Sequence, residues 1–144
     1  MNHEMVAKAA EIIGKKAGAG NEGYCVLALI DENGYPTAST VSLAKADGIR
    51  WVTFAGITEE NKAKRIRKCN RASVCFTSAE YNITLVGTAE VITDPQVKKE
   101  MWYDGLKHHY SGAGDPNYYV LRFTTERYNV YFSDDDSADS GVLP

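Results

Sequence analysis

The chain has 144 residues, 44% of them hydrophobic and 24% charged, with a formal net charge of −3. That length suits one domain with its own core, and that composition excludes wholesale disorder. No run approaches the roughly 20 apolar residues of a bilayer-crossing helix, and the slight acidity excludes a general polyanion binder, so no membrane and no nucleic acid is expected as a partner.

The charge is unevenly placed. The last twelve residues, SDDDSADSGVLP, hold four Asp and no Lys or Arg, whereas residues 62–71 hold six basic residues and no acid. The opening MNHEMVAKAAEIIGKK puts an acid where a secretory signal needs a basic region. Three cysteines, Cys25, Cys69 and Cys75, are an odd number with no CxxC pair. The reading is a reduced, cytoplasmic chain without a disulfide framework or zinc site. Cys25 and Cys75 sit in apolar runs and are expected in the core. Cys69, beside the basic cluster, is expected to be an inert thiol near a helix end.

Met5, Val6, Ala9, Ala10, Ile12 and Ile13 recur at three- and four-residue steps and predict an amphipathic helix over 3–17. The glycine-rich GKKAGAGNEG ends it. Residues 24–30 read as a strand, and Asn33-Gly34 as a hairpin turn with positive φ at both central positions. A small-residue strand follows over 36–43, then a second turn at Asp47-Gly48 and an aromatic strand over 49–55. Thr58 reads as the cap of a basic helix running to about Cys69, with Glu59 and Glu60 in its first turn. Strands are predicted at 72–77 and 82–93, the second bending at Gly87. Asp94-Pro95 opens a third helix extending to about His108. Strands at 118–124 and 127–132 precede the tail.

The division is therefore an N-terminal helix over 1–20, a domain over 21–132, and a flexible acidic tail over 133–144. The links are too short for parallel crossovers, so the class is mainly β with flanking helices: a six-stranded antiparallel barrel.

The usual hydrolytic motifs are absent: no GxSxG, HExxH or GxxxxGK[ST] occurs. His108 and His109 are adjacent, point about 100° apart on a helix, and do not suit one metal. The constellation with chemical content lies where the aromatic strand enters the basic helix. A helix start offers unpaired N–H groups and partial positive charge. Thr58 adds a hydroxyl, Lys62 a charge one turn later, and Arg65 and Arg67 more charge, a receptor suited to a phosphate. Ser39, Thr40 and Ser42 on one strand, with Thr53 and Phe54 on the next, suit the lining of a pocket for a flat heteroaromatic ring.

These residues carry a resemblance. The order TFAG, then TEENKAKRIRKCNRASVCF, LVGTAEVITDP and DPNYYVLRF resembles the pyridoxamine 5′-phosphate oxidase-related FMN-binding split barrels, closest to their short general stress protein 26-like branch. It spans about residues 24–132. The resemblance implies a six-stranded split barrel, a homodimer, and FMN at the subunit interface. Carried onto this chain, it puts Ser39, Thr40 and Val41 at the isoalloxazine edge. Thr53, Phe54 and Ala55 meet the ring and ribityl chain, and Thr58, Asn61 and Lys62 hold the phosphate. Asn82 and Trp102 would reach the flavin of the partner. The implied function is a flavin-dependent oxidoreductase acting on a small molecule or nicotinamide. The alternative is a non-catalytic flavin or haem binder in redox stress, with His108 or His109 as a haem ligand. Tyr103, His109 and Tyr110 are acid–base candidates by chemistry and location only, and no catalytic residue is assigned. The chain departs from the family at Glu60-Asn61-Lys62, where members often have Ser-Arg-Lys or Ser-x-Lys. It also lacks the Arg-x-His substrate clamp of true pyridoxine-phosphate oxidases, so vitamin B6 oxidation is not expected.

Overall fold

The computed structural model describes all 144 residues. A first helix, α1 (His3–Lys16), is capped by the Asn2 side chain, which accepts from the Met5 amide at 3.1 Å. Strands β1 (Tyr24–Ile30) and β2 (Pro36–Ser42) form a hairpin. β3 (Lys45–Asp47) and β4 (Trp51–Ile57) form a second, and helix α2 (Asn61–Lys68) follows. β5 (Arg71–Thr77) and β6 (Tyr81–Ile92) lead to the short α3 (Pro95–Glu100), and β7 (Tyr118–Phe132) and β8 (Ser137–Val142) close the chain. No helix is long and apolar enough to cross a membrane.

All pairings are antiparallel, in the order β2-β1-β5-β6-β7-β4-β3, with β8 added to β7. The sheet curls into a half-barrel around Leu27, Val74, Phe76, Leu85 and Phe123. α1 contributes Ala9 and Ile13 to that core, and α2 contributes Ala63 and Ile66. Buried Leu43 and Ala44 carry the chain from β2, at one end of the strand order, to β3 at the other. The two ends of the sheet are thus joined by chain rather than by a ladder. This is the split in the barrel, and it leaves the outer edge of β2 without a strand partner.

Several expectations change. There are eight strands rather than six, because Lys45–Asp47 pairs with β4 and the tail forms β8. The tail is not loose. Asp139 accepts from the Tyr128 hydroxyl at 2.8 Å and the Asn2 amide at 2.9 Å, and Asp134 pairs with Lys8 at 2.9 Å. The two predicted last strands are one, β7. Its partner register shifts at Val86/Gly87, so that Thr125 faces Gly87 and Arg127 faces Val86. That bulge bends the ladder without ending it, and Gly87 is required there because a Cβ would strike the Thr124 carbonyl. At Asn33-Gly34 only Gly34 has positive φ, at 84°. The turn is instead organised by Asp31, which accepts from the Asn33 and Tyr35 amides and the Thr37 hydroxyl.

The third helix starts as predicted, with the Asp94 carboxylate accepting from the Val97 amide at 3.1 Å. It stops at Glu100, and a 3-10 turn spans Asp104–His108. Met101, Trp102 and Tyr103 pack with Leu106, Tyr118 and Val120 in a second, smaller core. One helix face cannot present three successive side chains to the same surface, so the chain leaves the helix. Lys98, almost fully buried, locks this layer by donating to the Asp115 carbonyl at 2.9 Å.

Four aspartates, half-buried Asp31, Asp115 and Asp139 and exposed Asp134, have carboxyl groups held below the ordinary value of 3.8. The leading causes are the Tyr35 amide for Asp31, the Ser111 amide for Asp115, Lys8 for Asp134 and the Asn2 amide for Asp139. A folded-state value below the unfolded one means that the unfolded chain takes up more protons on acidification. The stabilisation is complete above 3.8 and is lost as pH falls through the folded values. The unfolding temperature should therefore fall as the pH is lowered below 3.8, and Asp31→Asn should blunt the fall. A midpoint independent of pH across that range would contradict these assignments.

Candidate functional site

A cleft of about 680 Å³ lies along the split of the barrel. Val41 at the end of β2 and Ala55 on β4 form two sides, and the loop over residues 18–21 forms a third. Tyr103, His109 and Tyr110 close it from the layer after α3, and Lys62 stands at the first turn of α2. The 18–21 loop takes this path because Gly18 and Gly20 adopt φ of 72° and 61°, which side-chain-bearing residues avoid. Sequence reasoning treated that stretch only as a helix terminator, although its glycine run was the available signal.

The start of α2 is the electropositive end of the cleft. Glu60, not Thr58, is the N-cap, and its side chain makes no capping bond. The first-turn amides therefore remain available to a ligand, and the helix dipole adds partial positive charge. The Lys62 ammonium lies 3.7 Å from Glu60 Oε2, and Glu60 Oε1 accepts from the buried Tyr119 hydroxyl at 2.6 Å. Thr58 donates its amide to the Asn117 carbonyl. Asn61 lines a different cleft of about 500 Å³, with Lys64, Arg65 and Lys68. Arg65 is turned there by Glu32, at 3.2 Å. Arg67 points to the Thr58 carbonyl. Of the predicted phosphate group, only Lys62 enters the 680 Å³ cleft.

The other predicted residues are placed as follows. Ser39 and Thr40 are exposed on β2, and Val41 is half-buried beside the cleft. Thr53 is fully buried: its hydroxyl accepts from the Lys45 amide at 3.1 Å and contacts Met101 Sδ at 3.9 Å. Phe54 is in the barrel core, so β4 offers the cleft Ala55 alone. Asn82 lies on the outer sheet face, its Oδ1 accepting from the Thr84 hydroxyl at 2.9 Å. Trp102 packs edge-on against Tyr118, ring centres 5.4 Å apart, and against Tyr110 at 6.4 Å. Cys25 is buried, and burial pushes its thiol up to about 12. Cys75 is not in the core but half-buried on the outer face beside Asn82 and Thr84, because Val74 and Phe76 take the inward positions of β5.

The two tyrosines of the wall are uncharged. Burial, then the Glu60 charge, pushes the Tyr110 hydroxyl up to about 12, and burial raises Tyr103. Both stay protonated at neutral pH and act as hydrogen-bond donors, not bases. The arrangement offers apolar and aromatic walls, phenolic donors, an open strand edge, and one cation at a helix start. These features fit a planar ring with an anionic foot. A larger groove of about 700 Å³ beside Arg67, Lys68 and Arg71 lacks any aromatic wall and fits such a ring less well.

An antiparallel split barrel with a cleft of this composition at its seam defines a recognisable class. Residues 15–132 match the pyridoxamine 5′-phosphate oxidase family model, and the chain belongs to that family. Among solved structures it is similar to a protein related to general stress protein 26, from Clostridium acetobutylicum. The TM-score is 0.84 at 24% identity, over 99% of this chain and 97% of that one. It is also similar to a pyridoxamine 5′-phosphate oxidase-related, FMN-binding protein from Nostoc punctiforme, with TM-score 0.65 and 14% identity over 98% and 94% of the chains. A heme-binding protein from Mycobacterium smegmatis gives TM-score 0.69 and 18% identity, over 95% of this chain and 57% of that one. No curated protein matches the sequence.

Proposed function

We propose that this protein binds FMN in the cleft at the split of the barrel and acts as a flavin-dependent oxidoreductase on a small molecule or nicotinamide. The observation that carries the reading is the pairing of Lys62 and an uncapped helix start with an aromatic-walled cleft. The helix start and Lys62 would hold the phosphate. Val41, Ala55, Leu106 and Tyr110 would flank the ring, and the outer edge of β2, with Ser39 and Thr40, would offer backbone groups along it. The bound flavin supplies the redox chemistry, and the protein supplies orientation and electrostatics. Tyr103 and Tyr110, kept neutral by burial, would donate hydrogen bonds into the cleft.

The protein would work as a homodimer. The outer sheet face presents a row, Thr40, Val26, Cys75, Thr84, Asn129 and Ser140, that is paired across six strands and left half-buried or exposed. Asn82 lies on that face, where a partner's cleft could meet it. A second reading, a haem-binding stress protein, is favoured by one observation: exposed His108 and His109 stand on the rim of the same cleft.

The purified protein separates these readings. A flavin spectrum, a sedimentation mass of twice 15.9 kDa and bleaching by NADPH faster than free FMN are the expected results. A strong Soret band would establish the haem reading instead. A single-chain mass with flavin bound would exclude an interface site.

A further inference from the structure

The start of α2 holds a carboxylate fixed from three sides. The Glu60 side chain makes no bond to the helix amides that it precedes. Its Oε1 accepts from Tyr119 at 2.6 Å, and its Oε2 lies 3.7 Å from the Lys62 ammonium. Tyr119 is fully buried, so the anchor cannot swing away. Gly56 leaves the space, because a Cβ there would strike both Glu60 Oε1 and the Tyr119 ring. Only 24% of the Glu60 side chain is exposed, so water screens it poorly.

We propose that Glu60 is a specificity-determining residue: a resident counter-anion that half-neutralises Lys62 and sets the ligand charge that the cleft accepts. The inference rests on the reading of this cleft as a phosphate receptor. Glu60 cancels much of the field that Lys62 and the helix start would present. A phosphate dianion arriving there meets a negative group that cannot retreat, whereas a singly charged or neutral foot meets little repulsion. Arg67, a further cation on α2 whose charge is felt at Tyr119, points to the Thr58 carbonyl and is exposed, so it does not restore the balance. Affinity for a flavin then comes mainly from the ring, and the cleft discriminates weakly between a flavin phosphate and a flavin without one.

The test compares FMN, riboflavin and inorganic phosphate on the wild type, Glu60→Gln and Tyr119→Phe. Flavins are followed by fluorescence quenching and phosphate by the NMR shift of the Lys62 amide. Glutamine keeps an acceptor for Tyr119 while removing the charge. Glu60→Gln should tighten phosphate and FMN roughly tenfold and leave riboflavin unchanged. Tyr119→Phe, which frees the carboxylate to move into solvent, should raise the FMN-to-riboflavin affinity ratio by a smaller factor. A ratio that stays constant or falls in both variants would overturn the proposal. If the wild type binds neither flavin, the FMN reading fails, and the phosphate titration alone decides for or against Glu60.

Discussion

Lys62→Ala should weaken FMN binding by roughly 30-fold, about 2 kcal/mol, while riboflavin binding stays unchanged. Two effects add. The substitution removes the cation that faces the cleft, and it unmasks Glu60, which Lys62 otherwise pairs at 3.7 Å. A charge-assisted bond to phosphate is among the stronger polar contacts, and the uncapped amides of α2 would remain as the only donors at that end. The Lys62 side chain is one-third exposed, so its truncation should leave the unfolding temperature almost unchanged. Dissociation constants for the two flavins, with a thermal melt as control, check this. Equal FMN affinity in mutant and wild type would remove the phosphate from this helix start.

Gly56→Ala should be the most destabilising single-methyl addition in β4. Gly56 is buried within the strand, and the added Cβ would overlap both the Glu60 carboxylate and the Tyr119 ring. Neither can give way easily: Tyr119 is fully buried in the barrel core, and Glu60 is tied to it. Overpacking of this kind, with loss of the Tyr119–Glu60 bond, should cost roughly 3 kcal/mol and lower the unfolding temperature by on the order of 10 °C. Gly14→Ala is the control, because a Cβ there meets nothing within 4 Å and alanine favours the helix. A Gly56→Ala protein as stable as the wild type would show that the start of α2 is looser than described.

What the sequence makes legible is what local chemistry decides. The cap at Asp94 follows from one carboxylate and the amide three residues on. The β1–β2 hairpin follows from a glycine placed for positive φ. The end of α3 was not readable, because what stops it is tertiary: Met101, Trp102 and Tyr103 are all drawn onto the outer face of β7. The acidic tail misled through composition. Its aspartates read as solvated charge, yet Asp134 and Asp139 have partners 126 and 137 residues away in sequence. The candidate site divides in the same way. Lys62 was legible as a cation at a helix start. Phe54 turns into the barrel and Thr53 to the opposite face, against Met101, an alternation whose phase a one-residue offset reverses. The Tyr119–Glu60 contact joins positions 59 residues apart, with no local signal at either. The basic run 62–71 reads as one patch, but the helix distributes it: Lys62 goes to one cleft and Arg65 to another.

A crystal structure of the protein grown with excess FMN tests the central claim most directly. The account predicts two chains paired through their outer sheet faces. The flavin phosphate should lie within hydrogen-bonding distance of Lys62 Nζ and the first-turn amides of α2, with the ring along β2 against Tyr110. A flavin phosphate seated instead among Arg67, Lys68 and Arg71, or a cleft at Lys62 that excludes the ligand from an unpaired chain, would contradict it.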